Sequence, residues 1–167
     1  MKIFLIGFMG SGKTTVGKKL SNKLGFQFID LDEHIEKSYG KSVPEIFEME
    51  GEEKFRTLET VALKEVVQFE NTVIATGGGT PCFNRNMDII NKNGTSVYLK
   101  MSVDTLTNRL INAKSVRPLI KDFSEATLKE YILTKLTDRE PYYLQSQYKV
   151  KAKNLNVEEL ADFVLVS

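Results

Sequence analysis

The chain of 167 residues has one cysteine, Cys82, and one histidine, His34. A single cysteine forms no internal disulfide, and one Cys with one His cannot complete a zinc site. Neither sign of charge is in excess. Lys and Arg number 23 and Asp and Glu 22, a net charge of +1, which leaves no electrostatic footprint for a nucleic acid or a membrane surface. No apolar run approaches the ~18 residues of a membrane span. The opening Met-Lys-Ile-Phe-Leu-Ile-Gly looks like a signal peptide only superficially, because no small-residue cleavage site follows its apolar stretch. A cytoplasmic location is therefore expected, with neither nucleic acid nor membrane as a partner. Repeats, low-complexity tracts and Pro- or Ser-rich linkers are also missing.

Arginine is scarce too. Of the 23 basic residues only five are Arg: Arg56, Arg85, Arg109, Arg117 and Arg139. In so Lys-biased a chain a generic surface cation would be Lys. Arg is required where a planar fork must grip a carboxylate or phosphate, or stack on a ring. The few arginines are thus candidate site residues.

The chain otherwise has the makings of one globular domain, 1–167, with 41% hydrophobic and 27% charged residues. At this length roughly 70% of the unfolded surface can be buried without a disulfide or structural metal. Apolar β-prone runs at 2–7, 26–30, 72–76, 95–100 and about 147–152 alternate with helical patterns. Ser42-Val43-Pro44-Glu45 and Asn156-Val157-Glu158-Glu159 read as capping boxes, and Ser102 and Ser124 as simpler N-caps. A helix is expected over 52–70, from the spacing of Phe55, Leu58, Val61, Ala62, Val66 and Phe69. This alternation predicts an α/β three-layer sandwich around a parallel five-stranded sheet. Ligands of such sheets bind beyond the carboxyl ends of the strands.

Residues 7–14, Gly-Phe-Met-Gly-Ser-Gly-Lys-Thr, match the phosphate-loop pattern G-x-x-x-x-G-K-[ST] at every fixed position. They also lie between a strand and a helix, where the pattern has meaning. Gly7, Gly10 and Gly12 allow a tight turn whose N–H groups point inward. Lys13 can reach β- and γ-phosphates, Thr14 can offer its hydroxyl to Mg²⁺, and the helix start favours an anion. Further along, Asp30-Leu31-Asp32 closes a strand with two carboxylates that an extended chain would turn to one side. They could serve a magnesium nucleotide and an acceptor hydroxyl, or simply cap the next helix. Arg56 and Glu59 lie three apart on a helical face. Thr76-Gly77-Gly78-Gly79 ends a strand in more glycines than a turn demands. Pro118 opposes a helix through 112–123, so a polar loop or lid is expected there. His34 reads as solvent-facing, Cys82 as packing, and the five Met as core filler.

Taken in order, the phosphate loop, Asp-Leu-Asp, Glu-Ile-Phe at 45–47, Gly-Glu…Phe-Arg-x-x-Glu at 51–59, Thr-Gly-Gly-Gly, Val-Arg-Pro-Leu at 116–119 and Arg-x-Pro-x-Tyr at 139–143 resemble the shikimate kinase family over about residues 1–145. The resemblance implies a P-loop, nucleoside-monophosphate-kinase-like fold with substrate-binding helices at about 32–70 and a mobile lid at about 112–123. It implies transfer of the γ-phosphoryl of ATP to the 3-hydroxyl of shikimate by a monomer using Mg²⁺. By the same resemblance, ATP would be held by Gly10, Ser11, Gly12, Lys13, Thr14, Thr15, Arg109 and Arg117, with Arg109 stacking on adenine and Arg117 acting from the lid. Mg²⁺ would be held by Thr14 and, through water, by Asp30. Shikimate would be held by Asp32, Arg56, Arg139, Gly78 and Gly79 between Phe47 and Phe55. Lys13, Asp32 and Arg117 would be catalytic. Arg85 has no task and reads as surface. The pattern departs after the last strand, where Val150-Lys151-Ala152-Lys153-Asn154 replaces the Asp-Thr that the family often carries. A gluconate kinase or nucleoside monophosphate kinase of the same architecture is the nearest rival, and a non-catalytic nucleotide-binding protein the rival of another class.

Overall fold

The computed structural model describes residues 1–113 and 120–166. Its element order is β1 (Lys2–Ile6), α1 (Lys13–Leu24), β2 (Gln27–Asp30), α2 (Leu31–Tyr39), α3 (Val43–Val66), β3 (Thr72–Ala75), a 3₁₀ turn (Thr80–Cys82), α4 (Asn86–Asn93), β4 (Thr95–Lys100), α5 (Val103–Ile111), α6 (Glu125–Tyr143), β5 (Tyr148–Lys151) and α7 (Val157–Val166). The five strands form one parallel sheet in the order β2-β3-β1-β4-β5. Helices cover both of its sides, as the strand–helix alternation predicts.

Burial explains that order. Ile3, Phe4, Leu5 and Ile6 are fully buried at the centre, and Val73, Ile74, Val97 and Leu99 are fully buried beside them. Strands buried on both faces read as continuous apolar runs, as these do. The edge strand β5 instead alternates half-buried Tyr148 and Val150 with exposed Lys149 and Lys151. α1 packs on α7 and lies against β2 and β3, α2 packs on α3, and α5 packs on α6.

The expected caps are present. The Ser42 hydroxyl accepts from the Glu45 N–H while the Glu45 carboxylate accepts from the Ser42 N–H, a complete capping box. Ser102 and Ser124 accept from Thr105 and Thr127 N–H groups. Asn156 accepts from the Glu158 and Glu159 N–H groups, but Glu159 accepts from the Asn156 side-chain amide and not from its backbone, so this end has a cap without the reciprocal half of the expected box. α3 is longer than the helix expected over 52–70. It begins at Val43, bends at Gly51, where φ is 84°, and ends at Val66. The left-handed conformation at the bend is one glycine adopts freely.

Three expectations need correction. The chain does not stay extended through Asp30 and Asp32. α2 starts at Leu31, so Asp30 caps it and Asp32 lies in its first turn, because the fully buried Leu31 anchors the turn. His34 is half-buried rather than solvent-facing; its Nε2 lies 3.0 Å from Glu65 and its ring meets Phe69 edge-on. The methionines are not all filler. Met87 and Met101 are buried, but Met49 is exposed and Met9 lines two cavities. The polar segment around Arg117, with half of the expected lid, lies outside the described residues. No helix among the described residues is long and apolar enough to cross a membrane.

Gly94 shows how tightly the sheet is seated. A Cβ there would stand 2.5 Å from the Lys2 carbonyl oxygen and 2.9 Å from the Phe4 ring. A backbone obstacle cannot rotate away. Gly94→Ala is expected to destabilise the fold by about 1–3 kcal/mol, read as a lower urea midpoint at unchanged slope.

Candidate active site

The carboxyl ends of β1, β2 and β3 meet at one rim of the sheet. After β1 the chain turns through Gly10 (φ 81°) and Gly12 (φ 94°), the latter capping α1. Ser11 is buried, its N–H donating to the Phe8 carbonyl at 3.1 Å, and its hydroxyl oxygen has no hydrogen-bond partner among the described residues. The Lys13 ammonium donates to the Gly7 and Phe8 carbonyls at 2.7 and 3.0 Å. The Thr14 hydroxyl donates to one oxygen of Asp30 at 3.1 Å, and the other Asp30 oxygen accepts from the Asp32 and Glu33 N–H groups. Asp30 thus caps a helix and at the same time faces the phosphate loop. Arg109 of α5 donates to the Gly10 carbonyl at 3.3 Å. A cavity of about 340 Å³ collects Gly10, Gly12, Lys13, Thr14, Thr15, Asp30 and Arg109 along its wall.

A second cavity, of about 480 Å³, lies against α3 and is lined by Val43, Pro44, Phe47, Phe55, Arg56, Glu59 and Arg139 among others. The two cavities share Met9, Asp32, Gly77 and Gly78. Asp32 therefore stands at the junction, although it arrives there on a helical turn and not along an extended strand.

The glycine run works by proximity. None of Gly77, Gly78 and Gly79 has a left-handed backbone. A Cβ at Gly79 would lie 2.6 Å from both terminal nitrogens of Arg56, and one at Gly78 would lie 3.2 Å from Arg139 Nη1. Two guanidinium groups from different helices are thus aimed at adjacent backbone units. Arg56 is packed among three aromatic rings, 4.1 Å from the Phe83 centroid, 5.3 Å from Phe55 and 5.9 Å from Phe47. Arg139 lies 5.7 Å from the Phe8 centroid.

Behind the arginines is a layer that the sequence reading did not assign to the site. Glu59, 1% exposed, accepts from Arg56 Nη1 at 2.9 Å and from the Thr80 hydroxyl at 2.6 Å. The fully buried Tyr143 donates its hydroxyl to the Gly78 carbonyl at 2.5 Å. Glu59 is legible as a helical pair with Arg56 and as the last residue of the Phe-Arg-x-x-Glu motif, and Tyr143 only as part of the Arg-x-Pro-x-Tyr motif. Arg85 is an exposed residue paired with Asp88 at 2.7 Å. Cys82 has its thiol pushed up to about 11 by burial, against the pull of Arg139 and Arg56, which suits packing and not nucleophilic use. Arg117 lies outside the described residues.

Asp32 is the electrostatic exception of the site. Burial, reinforced by the carboxylates of Glu59 and Asp30, pushes its carboxyl up to about 6 from the ordinary 3.8, against the opposing pull of Lys13. Its Oδ1 is buried without a hydrogen-bond partner among the described residues. A carboxyl poised near 6 is suited to exchanging a proton near neutrality.

Comparison with known proteins bears on the whole arrangement. The shikimate kinase family profile matches residues 9–166. A shikimate kinase of Azobacteroides pseudotrichonymphae is 48% identical over 162 residues, 96% of this chain and 95% of that protein. The crystal structure of shikimate kinase from Bacteroides thetaiotaomicron superposes with a TM-score of 0.94 at 42% identity, covering 99% of this chain and 97% of that one. That of shikimate kinase from Acinetobacter baumannii in complex with shikimate gives 0.86 at 36% identity, covering 98% and 90%.

The raised carboxyl of Asp32 has a cost in stability with a definite sign. Between about pH 4 and 6 the folded protein holds a proton on Asp32 that the unfolded chain has released, so stability falls as pH rises through that window. Above it the full penalty, on the order of 3 kcal/mol, is present. Asp32→Asn is therefore expected to raise the Tm of the nucleotide- and magnesium-free protein at pH 7.5 and to lose most of that advantage by pH 4.5. Scanning calorimetry at the two pH values decides it; a Tm difference independent of pH would contradict the assignment.

Proposed function

The chain belongs to the shikimate kinase family, and we propose that its two joined cavities are the two substrate sites of that family's reaction. In that reaction ATP phosphorylates the 3-hydroxyl of shikimate, giving shikimate 3-phosphate and ADP on the way to chorismate and the aromatic amino acids. The observation that carries the assignment is the shared wall. Asp32 faces both a phosphate-loop cavity and a cavity holding two arginines.

On the nucleotide side the backbone of Gly10 to Thr15 cradles the phosphates, with the positive end of α1 behind them. Lys13 stabilises charge on the transferring group, and Arg109 flanks the adenine. The residues fit Mg²⁺, because the Thr14 hydroxyl and the Asp30 carboxylate, 3.1 Å apart, are hard oxygen donors. Among the described residues no group of three or more His, Cys, Asp or Glu could hold a metal, so phosphates and water would complete the shell. When bound, the ion would neutralise charge on the β- and γ-phosphates. Arg117 is assigned to the lid by the family motif alone.

On the acceptor side Arg56 and Arg139 grip the shikimate carboxylate, with Gly78 and Gly79 N–H groups close by and Phe47 and Phe55 against the ring. This fixes the far end of the ring, where Asp32 accepts the hydrogen of the 3-hydroxyl. As the hydroxyl oxygen bonds to the γ-phosphorus, the bond from that phosphorus to the β,γ-bridging oxygen breaks and ADP leaves. The proton passes to Asp32. The chemistry is mostly positioning and charge stabilisation. We take the enzyme to be a cytoplasmic monomer.

ADP release measured with Mg²⁺-ATP and a panel of shikimate, quinate, gluconate and nucleoside monophosphates tests the proposal. Shikimate is expected to be turned over fastest, and preference for gluconate or a nucleotide would overturn it. In the same assay Lys13→Ala should lower kcat by about 10²–10³-fold. Arg139→Lys keeps charge but loses the fork, and should raise the shikimate KM about tenfold or more with little change in the ATP KM.

A further inference from the structure

We infer that Thr80 is a positioning residue for the acceptor's carboxylate, acting through Glu59 to keep one edge of Arg56 available; the inference rests on the shikimate reading of the site. Thr80 lines neither cavity and is fully buried, so any influence on the acceptor is indirect. Its hydroxyl donates to Glu59 Oε2 at 2.6 Å, while Glu59 Oε1 accepts from Arg56 Nη1 at 2.9 Å.

The geometry of that carboxylate matters. A guanidinium and a carboxylate pair most strongly through two parallel hydrogen bonds. Glu59, buried three residues from Arg56 on the same helix, could take both. It takes one, and its second oxygen is occupied by Thr80. Arg56 is thereby spared a fork-to-fork pairing with Glu59. Its Nε and Nη2 share one oxygen of the exposed Glu52 at 3.3 Å, and the edge between its two terminal nitrogens stays beside Gly79, where the proposed guest's carboxylate would lie. Without the hydroxyl, Glu59 Oε2 becomes a buried acceptor lacking a donor, which is costly. The nearest remedy is a second N–H from Arg56, which would turn the fork away from Gly79.

Thr80 is itself held firmly. Its N–H donates to the Gly77 carbonyl at 3.2 Å, and its carbonyl accepts from the Asn86 side chain at 2.9 Å. Asn86 is fully buried and accepts from the Thr60 hydroxyl at 3.1 Å; Asn84 donates to the Thr60 hydroxyl and to the Arg56 carbonyl at 3.1 and 3.3 Å. The segment from Thr80 to Asn86 is thus laced to the single helical turn that carries Arg56 and Glu59. Thr80 is the member of that lacing that reaches the charge pair.

Steady-state kinetics of Thr80→Val, Thr80→Ser and Thr80→Val combined with Arg56→Lys test the inference. Thr80→Val keeps the shape and loses the donor; it should raise the shikimate KM about tenfold while the ATP KM stays within about twofold and kcat changes less than KM. Thr80→Ser restores the donor and should return the shikimate KM to near the wild-type value. On the Arg56→Lys background the Val substitution should add little, since both act on one fork. An unchanged shikimate KM in Thr80→Val, parallel losses for both substrates, a Ser variant as impaired as Val, or full additivity with Arg56→Lys would each overturn the inference. Should Thr80→Val not fold, the shikimate Kd of Thr80→Ala against Thr80→Ser, by calorimetry, gives the same comparison with the same two outcomes. A wild-type protein inert toward shikimate would overturn the functional reading and this inference with it, whereas an active wild type with a silent Thr80→Val overturns the inference alone.

Discussion

The ion pair of Arg56 with Glu59 is the interaction around which the acceptor side is organised. Glu59 is buried to 1% exposure, and an isolated charge so placed would be strongly destabilising. It is tolerated because both of its oxygens have donors, Arg56 and Thr80. The pair then dictates its surroundings. Gly79 must lack a side chain, because a Cβ would meet both Arg56 terminal nitrogens. Gly77 must as well, since its Cβ would stand 3.0 Å from Asp32 Oδ1, 3.0 Å from Thr80 Oγ1 and 3.1 Å from Glu59 Oε2. One glycine thus separates the buried acid of the arginine clamp from the acid at the cavity junction. That closeness is part of what holds the Asp32 carboxyl up.

The sheet supplies the rigidity that this crowding needs. β1 is fully buried over Ile3 to Ile6 and lies between β3 and β4, so the phosphate loop and the glycine run leave from adjacent strands. Their relative position is fixed by the register that pairs Leu5 with Ala75. The Thr76 hydroxyl adds a bond to the Leu5 carbonyl at 3.1 Å. The arginines come from α3 and α6; Arg56 is held at the rim by Glu59 and the rings around it, and Arg139 lies over Phe8.

What could be read from the sequence was what is local or periodic. The phosphate loop is a contiguous pattern, and its strand-to-helix context is visible in the neighbouring residues. The Ser42 capping box spans four residues. The scarcity of arginine also served: Arg56, Arg109 and Arg139 line the cavities and Arg85 is exposed. Thr80 and Tyr143 could not be given positioning roles, because their partners are 21 and 65 residues away and a buried hydroxyl has no periodic signature. The geometry of Asp30 and Asp32 was misread for the same reason. Two acids spaced by two look alike along a strand, and only the burial of Leu31 against the core reveals that the chain has already turned into a helix.

Charge balance narrows what the acceptor cavity accommodates. Arg56 and Arg139 bring two positive charges to the glycine run, and Glu59 returns one negative charge from behind. Glu48 and Asp32 line the same cavity and Glu52 meets Arg56 from outside at 3.3 Å, so positive charge is confined to the arginine end, where the reading proposed above seats a single carboxylate. A phosphate dianion, as in a nucleotide acceptor, would leave a negative charge facing Asp32 and Glu59 across Gly77, where like charges already crowd. The apolar part of the wall, from Val43, Pro44, Phe47 and Phe55, suits a compact ring and offers little to an open chain of hydroxyls such as gluconate. On the reading proposed above, the buried carboxylate that holds Arg56 in place and the acids around it favour one guest carboxylate at the arginine end, so positioning and selectivity would share an origin in this cluster.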